Sequence, residues 1–109
     1  MRISLGGEVA WFQIRQNMLK HKKLCFDLTE NLLSFARSIK GVEVAALFKE
    51  NLGIRNEIRV NLRSQGKIDV NKIAKFFGGG GHNTASGATV KGNIETIRKR
   101  VLAKIKEDL

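Results

Sequence analysis

The stretch that most restricts this chain is Gly78-Gly79-Gly80-Gly81, followed at once by His82-Asn83-Thr84-Ala85-Ser86-Gly87. Glycine loses more backbone freedom on folding than any other residue, so a run of four is costly to order in helix or strand. Such a run persists where bare main chain must approach something closely. A flexible linker would be a longer Gly/Ser repeat. Here Phe76-Phe77 stands on one side and Ala88-Thr89-Val90 on the other, so the run lies between packed segments. Amide groups of Gly79, Gly80 and Gly81 in such a turn would form a concave nest for an anion. His82 adds a side-chain donor, stronger when protonated. Phosphate, with several acceptor oxygens and negative charge, matches that donor set. Gly78, Ser86 and Gly87 are expected to keep the loop compact.

At 109 residues the chain is expected to form one domain with one core. Its net charge of +10 favours anionic partners such as nucleotides or nucleic acid. The single cysteine, Cys25, rules out an intramolecular disulfide and fits a reducing compartment. Residues 1–20 hold no long apolar run, and no segment is long and apolar enough to span a bilayer. A cytoplasmic location without membrane association is the expectation.

Residues 1–7 read as a terminal arm or linker, set off by Gly6-Gly7, with the domain proper over 8–109. Glu8 to Arg15 reads as a strand, with Ala10, Phe12 and Ile14 on one face and Val9, Trp11 and Gln13 on the other. Gln16 to Phe26 is ambiguous. Its Lys20-His21-Lys22-Lys23 cluster reads as a solvated loop or helix turn, and His21 has no nearby partner that would signal a metal. Asp27 to Ser38 reads as a helix opened by an Asp27/Glu30 capping box. Leu28, Leu32, Phe35, Ala36 and Ile39 form its expected core face, and Gly41 ends it. Val42 to Lys49 reads as a central strand, with Val42, Val44, Ala46 and Phe48 on one side. Asn51 to Asn56 is the connection to Glu57–Arg63, where Ile58, Val60 and Leu62 alternate strictly with polar residues. The two strands should form an antiparallel hairpin. Asp69 caps a short helix to Phe77 with Val70, Ile73, Ala74 and Phe77 on one face. Ala88-Thr89-Val90 reads as a short strand. Asn93 caps a last helix that buries Ile94, Ile97, Val101, Ile105 and Leu109.

The segment Asp69-Val70-Asn71-Lys72-Ile73-Ala74, leading into Gly-Gly-Gly-Gly-His-x-x-Ala-Ser-Gly-Ala, resembles the C-terminal DHH-associated domain of the DHH phosphoesterase family. The likeness is to the branch of nanoRNases (oligoribonucleases) and 3′-phosphoadenosine-5′-phosphate phosphatases, which includes exopolyphosphatase-related proteins. It runs from about Glu8 to the C-terminus and is strongest over Ile58 to Ala88. It implies an α+β fold, a mixed sheet of about four or five strands with helices against it. It also implies a hydrolase that cleaves very short RNAs and extends to adenosine 3′,5′-bisphosphate, with Arg63-Ser64 at the strand end, the glycines and His82 holding substrate and Asn83 at its rim. Alternatives that share this domain type are a RecJ-like single-strand exonuclease, a cyclic-dinucleotide phosphodiesterase and a non-catalytic RNA-binding module.

Family members use divalent metal, usually manganese, held by clustered aspartates and histidines. This chain offers only Asp27, Asp69, Asp108, His21 and His82, with no Asp-His-His triplet and no nucleophile–base arrangement. The resemblance therefore places the metal on an N-terminal DHH domain outside these residues, and these 109 residues are expected to bind without catalysing. Expected partners are a short RNA, nucleotide or other phosphorylated substrate and that DHH domain of the same chain, with a homodimer left open.

Overall fold

The structure is a computed structural model that describes residues 2–4, 7–15, 31–50 and 56–109. The basic cluster around His21, together with Cys25, the Asp27/Glu30 box and Leu28, lies outside the described residues, as do residues 51–55 of the connecting loop.

Among the described residues, six strands form one mixed sheet: β1 (Arg2–Ser4), β2 (Val9–Ile14), β3 (Val44–Glu50), β4 (Glu57–Ser64), β5 (Gly80–Gly81) and β6 (Ala85–Lys91), in the order β1-β2-β3-β4-β6-β5. Among these described strands, only β2 and β3 run parallel. The helices are α1, observed over 31–38, α2 (Val70–Phe76) and α3 (Ile94–Asp108). The α+β mixed sheet is the expected one, with two very short edge strands added. One of these, β1, comes from residues read as an arm: Arg2–Ser4 pairs antiparallel with β2, and Gly7 takes φ +88 in the connection between them.

Alternation along β2 and β3 divides two cores. Val9, Val44, Ala46 and Phe48 face α2 and α3, joined by Ile58, Val60 and Leu62 of β4 and by Ile73, Ile97, Val101 and Ile105. Ala10, Phe12, Ile14, Ala45 and Leu47 face the opposite way, against Leu33 and Ala36 of α1. Val42 joins this second cluster rather than its expected neighbour Val44, because β3 begins only at Val44 and the two-residue period does not reach back.

The expected face of α1 is rotated. Leu33 is buried at 1% exposure, whereas Phe35 is 57% exposed. The spacing of Leu32, Phe35, Ala36 and Ile39 and that of Leu32, Leu33, Ala36 and Ile39 both fit a helix, and packing chose the second. Leu109 likewise ends up exposed, past the last turn of α3. The two expected caps that fall within the described residues are present. Asp69 accepts from the amides of Asn71 (2.9 Å) and Lys72 (3.3 Å), and Asn93 accepts from that of Thr96 (2.8 Å).

Candidate functional site

Three of the four glycines of the run have a physical cause of their own. The C-terminus of α2 closes in a Schellman motif: the Gly78 amide donates to Lys75 O (3.0 Å) and the Gly79 amide to Ala74 O (2.8 Å). Gly78 supplies the left-handed residue that motif requires, with φ +87. Gly79 is bare because β6 runs against it. A Cβ there would stand 2.1 Å from Gly87 O and 2.7 Å from Ala88 Cα. Gly81 sits at φ +150, where a Cβ would meet Ala85 O at 2.7 Å. Gly80 has no such constraint. A Cβ on it would lie in ordinary contact, 3.6 Å from Asn71 Oδ1, which is buried with no hydrogen-bond partner among the described residues.

The run is therefore not an open amide nest. The Gly78 and Gly79 amides end the helix, and Gly80–Gly81 is the edge strand β5, paired with Gly87 and Ser86 of β6. His82 closes the hairpin: its amide donates to Ala85 O (2.7 Å) and the Ala85 amide returns a bond to His82 O (3.2 Å). Hydrogen-bonded pairs recur every second residue of an antiparallel ladder, so Gly80 and Gly87 are the next such pair and the Gly81 amide points away from β6. Of the three amides expected to face an anion, those of Gly79 and Gly80 are taken up within the fold, and that of Gly81 is directed away from β6.

Asn83-Thr84 forms the hairpin tip without a left-handed residue, which the primed turns would need. Its carbonyls are held from outside. Val70 N–H donates to Asn83 O (2.9 Å) and Ser64 N–H to Thr84 O (2.9 Å). Ser64 is the anchor for this. It is wholly buried, and its hydroxyl donates to Ile68 O (2.8 Å) and approaches Asn83 O (3.4 Å). The expected substrate contact by Ser64 is thus unavailable: alternation turns it to the core, opposite Arg63. Ser86 is also buried and donates to Val70 O (2.7 Å). The hairpin is thereby fixed to the start of α2 and the end of β4.

On the other face, β4 and β6 present a polar surface beside the α1 core. Cross-strand partners share a face, so Arg63 lies with Ala85, Asn61 with Gly87 and Arg59 with Thr89. Through its bond pair with Ala85, His82 continues the Arg63–Ala85 row. Two strand spacings separate Arg63 from His82, roughly 10 Å between backbones, with only the Ala85 methyl between. His82 and Asn83 are exposed; Arg63 is half-buried and donates to Leu62 O (2.9 Å). Arg59 lies flat across β6. Its guanidinium donates to Thr89 Oγ1 (3.3 Å), and its Nη2 comes within 2.7 Å of where a Gly87 Cβ would be. The same Cβ would meet the main-chain Val60 O at 2.9 Å, so Gly87 is bare for the neighbouring strand and leaves room for the arginine above it.

Arg59 and Asn61 were not singled out from sequence, although the strict alternation of β4 already places them beside Arg63. The face combines two guanidinium groups, a carboxamide and an imidazole over a floor of alanine and glycine. Guanidinium groups suit phosphate oxygens through paired N–H donors, and a flat small-residue floor leaves room for a ring. Among the described residues, no three His, Cys, Asp or Glu side chains cluster, so the described part of the chain does not fit a resident metal. No described helix is long and apolar enough to cross a membrane.

Residues 19–107 match the DHHA1 domain family. A bifunctional oligoribonuclease and PAP phosphatase NrnA of Mycoplasma genitalium is 40% identical over 86 residues, covering 77% of this chain and 25% of that protein. Its namesake from Thermus thermophilus is 30% identical over 82 residues, covering 74% of this chain and 24% of the relative. This chain thus spans about a quarter of the length of the curated relatives it matches. Among solved structures, an exopolyphosphatase-related protein from Bacteroides fragilis superposes with a TM-score of 0.70 at 29% identity, over 92% of this chain and 30% of that one. A pGpG-specific phosphodiesterase from Vibrio shares the fold at a TM-score of 0.54 and 13% identity, over 63% of this chain and 25% of its own. With nearly its whole length from residue 19 onward inside that match, the chain belongs to the DHHA1 domain family.

Proposed function

We propose that this domain is the substrate-recognition lobe of a DHH phosphoesterase that hydrolyses short oligoribonucleotides and the 3′-phosphate of adenosine 3′,5′-bisphosphate. The observation that carries the reading is the shared row of Arg63, Ala85 and His82. Two donors, one of them always charged, stand on either side of a methyl floor on one exposed sheet face. Arg63 holds one phosphate in a paired N–H contact. His82 donates to a second acceptor across the row. The catalytic divalent metal, manganese by family resemblance, belongs to a DHH domain of the same polypeptide, which the relatives' greater length accommodates. There it would polarise the scissile phosphate, while the residues described here bind and orient.

The test is a titration of the chain with 5′-phosphorylated diribonucleotides at fixed salt, since phosphate contacts are salt-dependent. Arg63→Ala and His82→Ala should each weaken binding about tenfold, the scale of one charge-assisted hydrogen bond, without lowering the melting temperature. Unchanged affinity in both variants would refute the reading. In the enzyme that carries this domain, His82→Ala should raise KM or lower kcat and leave the metal content as it was. A domain that gains affinity steadily over many nucleotides would instead be a general RNA-binding module.

A further inference from the structure

On the side of the sheet away from the Arg63 row, α2 and α3 lie against the core that includes Phe48. Helix α2 buries Val70, Ile73 and Ala74. Lys75 and Phe76 follow Lys72 at the spacing that puts them on one outer face of the helix, and Phe76 is left 62% exposed. Its ring meets that of half-buried Phe77 edge to face, with centroids 5.1 Å apart. Helix α3 sets a cation over each ring. Lys104 Nζ stands 4.5 Å from the Phe76 centroid, and the Arg100 guanidinium 5.4 Å from that of Phe77. From Arg98 to Lys106 the sequence of α3 carries five cations and no carboxylate. Lys104 also meets Glu107 at 3.0 Å, a solvent-facing pair of small net worth. Lys72, Lys75 and Arg100 make no ion pair among the described residues.

From this geometry we propose that the α2–α3 surface docks an acidic protein segment bearing an apolar anchor side chain. A single exposed apolar side chain is ordinary. Phe76 differs in its setting, beside cations that have no counter-charge among the described residues. Charge complementarity therefore calls for an anionic occupant. A second copy of this chain would bring the same cations and be repelled. A nucleic-acid base stacks on an open ring face, and to lie on the side of Phe76 that Lys104 covers it would have to displace the ammonium. Carboxylates instead reach Lys104 and Arg100 from outside and leave both cation–π contacts in place, with the guanidinium offering paired donors. The apolar anchor covers the exposed ring of Phe76, and aromatic and arginine anchors of this kind supply much of the binding energy at protein interfaces. The surface lies across the sheet from the ligand row, so both can be occupied together. This docking goes beyond the function proposed above and does not depend on it.

Titration of the chain with a synthetic peptide of glutamate interspersed with leucine tests this. Peptides of equal length with glutamine for glutamate, or alanine for leucine, serve as controls. The glutamate–leucine peptide should bind saturably, and each control about tenfold more weakly, the scale of losing one interface anchor. Phe76→Ala and Arg100→Gln should each weaken the peptide by about the same factor; melting curves check that both variants keep the fold. Amide shifts on binding should gather at residues 72–77 and 100–107, and a saturating 5′-phosphorylated diribonucleotide should leave the peptide affinity unchanged. No saturable binding at millimolar peptide, equal binding of the alanine control, or full affinity in Phe76→Ala would each overturn the docking surface. Displacement of the peptide by oligouridylate would overturn it in favour of a nucleic-acid surface.

Discussion

Two alanine substitutions one residue apart should behave oppositely. In Gly79→Ala the new methyl would stand 2.1 Å from Gly87 O and 2.7 Å from both Ala88 Cα and Ala88 Cβ. Two of these three atoms are main chain of a paired strand, so no side-chain rotation relieves the overlap. Relief requires β5 to lift from β6, breaking the Gly80–Gly87 pairing and disturbing the Schellman bond from Gly79 to Ala74. Overpacking of this kind costs about 1–3 kcal/mol, and each lost hydrogen bond adds about 1 kcal/mol. A total near 3 kcal/mol corresponds to a fall in melting temperature of roughly 10 °C or more for a domain of this size. In Gly80→Ala the methyl meets only Asn71 Oδ1, at 3.6 Å, and the residue has no left-handed φ. Its stability should be unchanged or raised by up to about 1 kcal/mol, because alanine restricts the unfolded chain. Its diribonucleotide affinity should stay close to that of the unaltered chain, since the methyl is set against Asn71 of α2 rather than against the Arg63 row. Thermal unfolding by circular dichroism alongside the binding titration reads both effects. Gly79→Ala melting within about 2 °C of the unaltered chain, or Gly80→Ala as the less stable of the two, would refute the reasoning.

Ser64→Ala should cost about 1–3 kcal/mol, because it leaves the buried carbonyl of Ile68 without its hydroxyl donor; denaturant unfolding measures this. In the binding titration it should have far less effect than Arg63→Ala, its neighbour on the opposite face. Leu33→Ala should destabilise by about 2–5 kcal/mol, whereas Phe35→Ala, at a side chain 57% exposed, should change stability by less than about 1 kcal/mol. A reversed order in the same unfolding experiment would mean that α1 packs by its other face.

The alternating strands were legible in the sequence because period two leaves one solution. Ala10, Phe12 and Ile14 against Val9 and Trp11 is such a case, and so is Ile58, Val60 and Leu62. The helix caps at Asp69 and Asn93 were legible for the same reason: few residues can serve there. The face of α1 was not, since Leu32, Leu33, Phe35 and Ala36 admit two amphipathic stripes and only the shape of β2 and β3 selects one. The glycine run was recognisable as close backbone approach, but the approaching group was misjudged. Much of what presses on Gly79 and Gly81 is the chain's own β6. Local sequence cannot reveal this, because β6 is brought there by pairing with β4. Ser64 illustrates the same limit. The residue was visible beside Arg63, yet one step along a strand reverses the face, and that step sends its hydroxyl to Ile68 O instead of a ligand.

The central claim is that ligand binds the polar face of β4 and β6 at the row of Arg63, Ala85 and His82. Amide chemical-shift mapping with a 5′-phosphorylated diribonucleotide tests it most directly. The account predicts saturable shifts concentrated at residues 59–63 and 80–87, with α3 (Ile94–Asp108) undisturbed. Shifts confined to α3, or none at millimolar ligand, would contradict it.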